Sequence, residues 1–236
     1  MTLTPNEFLN GLTGFIFVVI VFFVGLKISL KYFEYKQKTL LYVGIGWMGF
    51  PCPYIAVSVS FLSVLITGNP IPDVLYFLIG IGLIPFFLIL WMAAFSELLY
   101  KNRQKLIIII FTIFGALFES YIIYALLTNT KLIGVKQGPV DTDWTNIIII
   151  YFVILIIIIF ITGMLFSRTS LRSDNPEVRL KGKFLLVAFL AWAIGSFLDA
   201  ILDYPITRII LMLSSIAFYF GWIMPDWMKK TLIRER

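Results

Sequence analysis

Apolar residues crowd into seven stretches of the chain, near residues 11–31, 40–66, 72–99, 105–128, 146–167, 183–203 and 206–228. At about 1.5 Å per residue, each can cross a hydrocarbon core about 30 Å thick. The pattern predicts an all-α fold: a polytopic membrane bundle of seven transmembrane helices, forming a single domain over residues 1–236. The sixth and seventh helices are parted only by Asp203-Tyr204-Pro205, a tight turn. The longest connections, 129–145 and 168–182, are too short to bury a core of their own.

The polar positions between these stretches carry a direction. Lys27, Lys31, Lys36, Lys38, Lys101, Arg103, Lys105, Arg168, Arg172, Arg179, Lys181, Lys183, Lys229, Lys230, Arg234 and Arg236 fall on one side of the predicted bundle, 16 of the 19 Lys and Arg. Only Lys131, Lys136 and Arg208 fall on the other. By the positive-inside rule the first side is cytoplasmic, which puts the N-terminus outside and the C-terminus in the cytoplasm of a multi-pass cell-membrane protein. No basic residue precedes the first apolar run and no small-x-small site follows it, so that run reads as a retained helix.

Composition agrees and removes chemistry. The chain has 236 residues, 60% of them hydrophobic and only 14% charged. A soluble domain could not cover that much apolar surface, so the lipid bilayer is the expected solvent and partner. The net charge of +6 follows from the loop charges that set topology, and no nucleic-acid partner is read from it. With no histidine and Cys52 as the single cysteine, His-based catalysis, His or thiolate zinc sites and an internal disulfide are all excluded. No metal site is expected.

Helix-breaking residues sit inside the apolar runs. Pro51 and Pro53, in Gly49-Phe50-Pro51-Cys52-Pro53, remove two backbone donors in mid-membrane; Pro85 does the same in the third run. These three are candidate hinges, where unwound backbone could face a ligand or ion, with a static, packed kink as the plain alternative. Small residues at helical spacing (Ala56 and Ser60, Ala116 and Ser120, Ala191 and Gly195, Ala217 and Gly221) read as close helix packing.

Ionisable groups at membrane depth are rarer. Glu119 lies about 13 Å from the outer end of the fourth helix. Thr112, Gly115, Ala116, Ser120 and Ile123 lie on or beside its face, a small and polar stripe expected to point into the bundle. In the sixth helix Ala188, Ala191, Gly195, Asp199 and Asp203 form a similar stripe, with Trp192 about 13 Å deep. Glu119, Ser120, Asp199 and Trp192 are the candidate ligand or proton site. A buried structural acid is the alternative for Glu119. Asp203 and Arg208 form a candidate outer ion pair, with Asp199 as the other plausible partner of Arg208, or else Asp203 and Arg208 are two ends of a solvated turn. Trp47, Trp91, Trp192, Trp222 and Trp227 fall in the cytoplasmic half and only Trp144 at the outer surface, which suggests an outer pocket above an aromatic plug, or simple aromatic packing. The basic loop 168–183 meets lipid headgroups and is a candidate docking surface for a cytoplasmic protein.

Seven helices with the N-terminus outside resemble rhodopsins and G-protein-coupled receptors in topology alone. The segment Thr207–Met224 has no lysine, which argues against a retinal Schiff base, and no cofactor is expected. Glu97-Leu98-Leu99-Tyr100 lacks the receptors' acidic-Arg-aromatic triplet, and their Asn-Pro-x-x-Tyr is absent too. The stretches Asp174-Asn-Pro-Glu177, Arg179 through Leu186 to Gly195-x-x-x-Asp199, Phe95 through Lys101, and Phe220-Gly-Trp-Ile-Met-Pro-Asp-Trp227 resemble uncharacterised seven-helix archaeal integral membrane proteins. That resemblance implies the architecture and no activity.

The reading that absorbs most of these features is receptor-like, sensory binding of a small ligand or lipid from the outer side. A small-solute or proton-coupled transporter is one alternative, since the first three and last three helices share orientation and a Pro-containing outer turn (Asn69-Pro70, Tyr204-Pro205). A structural membrane subunit is another. An enzyme is disfavoured, because no Gly-x-Gly-Asp, paired Glu-Glu or His-based motif occurs. Oligomeric state is not legible in the sequence.

Overall fold

Each helix starts and stops where local chemistry demands it. The computed structural model describes residues 3–202 and 205–232. Helix α1 (Pro5–Tyr35) opens with a capping box: Thr4 Oγ1 accepts from the Glu7 N–H at 3.3 Å, and Glu7 Oε2 accepts from the Thr4 N–H at 2.8 Å. It closes at Lys36, which takes a left-handed φ of 56° and donates its N–H to the Tyr32 carbonyl at 2.7 Å. Further on, α8 (Pro176–Leu202) starts on Asn175, whose Oδ1 accepts from the Glu177 N–H at 2.8 Å, with Pro176 in the first helical position.

The remaining helices are α2 (Lys38–Gly49), α3 (Cys52–Thr67), α4 (Asp73–Phe77), α5 (Ile84–Leu99), α6 (Gln104–Thr128), α7 (Asn146–Leu171), α9 (Pro205–Trp222) and α10 (Asp226–Leu232). A π-helical turn, Leu78–Gly82, joins α4 to α5, and a two-stranded antiparallel ribbon, β1 (Gly134–Lys136) and β2 (Thr142–Trp144), lies between α6 and α7. Among the described residues, five segments are long and apolar enough to cross a bilayer: Pro5–Tyr35, Asp73–Leu99, Lys101–Thr128, Asn146–Leu171 and Pro176–Ala200. Two bent pairs pass the same test if each is taken as one span, giving up to seven. The exposed surface includes Ile113, Leu117 and Leu127 of α6 and Ile150 and Ile157 of α7, a surface that calls for lipid rather than water.

Two predicted spans are not single rods. The second breaks at Phe50-Pro51, and α2 and α3 meet at 56°. The seventh ends at Trp222, and α10 leaves at 86°. Pro225 explains the latter: it offers no N–H and steers Met224 out of the helical region, while its own carbonyl accepts from the Met228 and Lys229 N–H groups and starts the next helix. Ser173-Asp174-Asn175-Pro176-Glu177 reads as a turn and helix start, and the structure agrees: the 168–183 segment is helical except for residues 172–175, and α8 starts at Pro176. Its Glu177 is held by Lys181 at 2.8 Å and by Lys229 at 3.2 Å.

Contacts divide the chain into two units, Met1–Phe152 and Val153–Arg236. In the first, α1 packs on α2 and α3, α2 on α5, and α5 on α6. The backbones of α1 and α2 meet at Gly25 and Gly44. A Cβ on Gly25 would lie 2.6 Å from the Gly44 carbonyl oxygen, and one on Gly44 would lie 2.8 Å from the Ser29 nitrogen. Gly25 and Ser29 are a small pair four residues apart, the spacing that lets helices touch in lipid. Below them Trp47, Phe50 and Trp91 form an edge-to-face column, with Trp47 and Trp91 buried. In the second unit α8 packs on α9, and α7 joins them where Gly163 accepts the Phe189 ring and Phe166 meets Trp222.

Candidate functional site

The two helix breaks of the first unit meet. Cys52, between the two prolines, is fully buried at the start of α3. The π-turn packs on α3 and on α6. It widens the helix just before Pro85, which cannot donate to Ile81 and whose ring crowds that carbonyl. Gly80 and Gly82 make the close approach possible. A Cβ on Gly80 would stand 3.2 Å from the Ala56 Cβ and 3.8 Å from the Pro53 Cα. A Cβ on Gly82 would stand 3.7 Å from Glu119 Oε1. Gly115, one turn below Glu119 on α6, would meet the Pro85 Cβ at 3.1 Å. All three candidate hinge prolines thus lie in the unit that holds Glu119, and Pro53 and Pro85 touch the glycines beside it.

Glu119 is half-buried, and its Oε2 is buried without a hydrogen-bond partner among the described residues. Tyr151 lies near the start of α7. Its ring stacks flat on Phe118, with 8° between the planes, and is 3% exposed. Its hydroxyl is also buried without a hydrogen-bond partner among the described residues. Two buried oxygens on neighbouring helices thus lack hydrogen-bond partners among the described residues.

Above them lies the ribbon. Trp144, which the sequence places at the outer surface, packs against Phe77 and Phe152 at ring-centroid distances of 5.8 and 5.4 Å, and its ring edge reaches Gly80. Lys136 holds the ribbon down: its Nζ is 2.9 Å from Asp73 Oδ1, donates to the Ile71 carbonyl at 2.9 Å, and sits 5.2 Å above the Tyr76 ring. Tyr121 Oη and Thr145 Oγ1 both donate to the Leu132 carbonyl, at 2.7 and 3.0 Å, and fix the ribbon's base. The segment 129–145 is therefore an ordered cover, made from a stretch that hydropathy reads only as a loop.

Other predicted site residues land elsewhere. Ser120 is exposed and donates to the Ala116 carbonyl of its own helix at 2.7 Å. Thr112, Ala116 and Ile123 are exposed as well, so of the small polar stripe only Gly115 faces a neighbour in this chain. The buried face of α6 is instead Gly115, Ile122 and Ala125. The physical reason is rotation: in lipid the outward face needs no different composition from the inward one, so small residues alone do not fix which side turns in.

Asp199 and Trp192 belong to the second unit. Trp192 is buried on α8. Asp199 pairs with Arg208, whose Nε is 3.8 Å from Asp199 Oδ1, and the Thr207 hydroxyl donates to the same oxygen. Asp203 lies outside the described residues. The solvated-turn alternative fails for Arg208, which is 3% exposed and lies near Asp199, one of the two acids read as its partners. Burial forces this choice, since a buried guanidinium needs a buried partner.

Tyr151, Gly80, Gly82 and Lys136 were not singled out by sequence reasoning. Gly80-x-Gly82 just before Pro85 was the available signal for the π-turn. Nothing in the sequence marks Tyr151 from its apolar neighbours. Among the described residues no cluster of three metal-binding side chains occurs. No protein-family model, no curated protein and no solved structure matches the chain.

Proposed function

We propose that this chain is a seven-span membrane protein, N-terminus outside and C-terminus in the cytoplasm, that binds a small ligand from the outer side in receptor-like fashion. Counting each bent helix pair as one span supports seven crossings. The side bias of 16 of 19 Lys and Arg supports the orientation. Reporter fusions after residues 36, 69, 103, 137, 174 and 204 and at the C-terminus test both. The expected sides alternate from cytoplasmic after 36 to outer after 69 and so on, ending cytoplasmic. Two successive fusions on one side, or a C-terminus outside, would overturn the topology.

One observation carries the ligand reading. Glu119 Oε2 and the Tyr151 hydroxyl are both buried without a hydrogen-bond partner among the described residues, on two helices joined by the Phe118–Tyr151 stack, and Glu119 lies against the π-turn. Broken helices expose backbone polar groups to a ligand inside a membrane, and a ligand is the natural partner for the two orphaned oxygens. The ribbon above makes the approach an outer one. Purified full-length protein, screened for thermal stabilisation by a broad library of small polar compounds, tests this. At least one compound is expected to raise the midpoint by several degrees, with the effect lost in Tyr151→Phe or Glu119→Gln. A library without any stabiliser, or stabilisers indifferent to both substitutions, would sink the reading. Uptake of the stabilising compound into proteoliposomes would turn the receptor into a carrier using the same site.

A further inference from the structure

We infer that helix α10, together with the basic ends of α7 and α8, is an interfacial anchor that lies along the membrane surface and takes anionic phospholipid headgroups as its partner. This rests on the topology proposed above, in which α9 is the last crossing, and is independent of the ligand reading.

The helix is placed to lie flat. It leaves α9 at 86°, so with α9 crossing the bilayer α10 runs close to the membrane plane. Two contacts hold it there. Lys229 Nζ lies 3.2 Å from Glu177 Oε1 in the first turn of α8, and the Trp227 ring meets the Phe220 ring edge-on at 6.4 Å between centroids. At about 100° per residue, Trp227, Met228, Thr231 and Leu232 share one arc of the helix, and Asp226, Lys229 and Lys230 share the other. Met228, inside the apolar arc, is buried, whereas Trp227 and Leu232 on its flanks are 63% and 52% exposed. The apolar arc is thus wider than the protein covers. A short amphipathic helix with a tryptophan at its margin suits the boundary between headgroups and acyl chains, where the ring and the leucine leave water and the lysine stays in it.

Charge at this end selects the kind of lipid. Glu177 is held by Lys181 and Lys229, and Asp226 by Lys229. Asp174 is the remaining described acid here. Against it stand Arg168 and Arg172 at the end of α7, Arg179 and Lys183 early in α8, and Lys230 on α10. All five are exposed, and among the described residues none of them is in an ion pair. Basic side chains at a membrane surface attract anionic headgroups within a Debye length, whereas a zwitterionic surface offers them no net countercharge. A soluble protein with an acidic face would meet the charges as well. The bend, however, sets Trp227 and Leu232 at the level of the bilayer surface, where lipid is already present.

The test uses the full-length protein in nanodiscs of phosphatidylcholine and phosphatidylglycerol in fixed proportion, with bromine near the headgroup end of the acyl chains of one lipid or the other. The Trp227 signal is the difference in fluorescence between the chain and Trp227→Phe. At equal bromine content, phosphatidylglycerol is expected to quench that signal at least twice as strongly as phosphatidylcholine. Salt at about 1 M, which shortens the Debye length to about 3 Å, should make the two equal. Arg179→Gln, Lys183→Gln and Lys230→Gln combined should do the same at low salt, and Lys131→Gln, on the outer side, should change nothing. Size-exclusion profiles establish that each variant is folded, and the salt titration stands in if the triple variant is not. Equal quenching by both lipids at low salt, or a preference indifferent to salt, would overturn the anionic partner. A Trp227 signal that neither lipid quenches would put the apolar arc in water or against a soluble protein and overturn the anchor. Reporter fusions that break the alternating pattern while phosphatidylglycerol still quenches Trp227 would sink the topology and leave the lipid contact standing; alternating fusions with an unquenched Trp227 would do the reverse.

Discussion

Arg208→Ala is expected to destabilise the second unit by about 3–5 kcal/mol, the cost of removing one partner from a buried ion pair. Arg208 is 3% exposed, and its countercharge Asp199 is nearly as enclosed, at 12% side-chain exposure. Removing the guanidinium leaves a carboxylate supported by the Thr207 hydroxyl in a setting with little water to replace the lost charge. Reversible unfolding in mixed micelles would measure the loss. Arg208→Met with Asp199→Asn should recover much of it, because removing both charges removes the desolvation cost as well. A single substitution costing under about 1 kcal/mol would mean that the pair behaves as a solvated surface bridge.

The second large effect is expected at the α1–α2 contact. Gly44→Leu should cost about 3 kcal/mol or more, at the upper end for overpacking, because the obstacle is backbone. The Cβ would collide with the Gly25 carbonyl oxygen and the Ser29 nitrogen, and neither can rotate away like the end of a side chain. The helices must separate, losing the close contact that holds them together in lipid. Gly46→Ala, two residues on, is the control. Its Cβ would find the Trp91 nitrogen at 3.4 Å and the Phe87 oxygen at 3.5 Å, ordinary contact distances. Ala also favours the helix by about 1 kcal/mol over Gly. Unfolding midpoints that fell equally for both variants would show that the Gly25–Gly44 approach has no special role.

The two effects share a cause. In lipid the apolar surface of a helix gains little by leaving its solvent, so association depends on close backbone contact and on polar groups that must find partners inside. Gly25, Gly44 and Ser29 supply the first; Asp199, Thr207 and Arg208 supply the second. Glu119 and Tyr151 depart from this rule, since neither Glu119 Oε2 nor the Tyr151 hydroxyl has a hydrogen-bond partner among the described residues.

Much of the architecture was legible residue by residue. Long apolar runs specify helices without regard to neighbours, because an isolated backbone in lipid can satisfy itself no other way. Asn175-Pro176 announces a helix start, and Pro51, Pro53 and Pro85 announce breaks, since capping and donor loss act within one turn. Glu119 stood out because carboxylates are rare at that depth. What remained hidden was facing and distance. Ser120 and Gly115 are both small residues of α6, yet one turns outward and the other meets Pro85. Composition cannot separate them, because lipid-facing and bundle-facing positions are equally apolar. Tyr151 becomes notable only beside Glu119, and Lys136 only once the ribbon folds it back onto Asp73, 63 residues earlier in the chain. By itself, then, the sequence determined which segments are helical, how they are capped and where they break, because those outcomes depend on neighbours a few residues away. The tertiary structure alone decided that two of the breaks meet at Glu119 and that Arg208 is buried against Asp199, because both depend on how each helix is rotated about its axis.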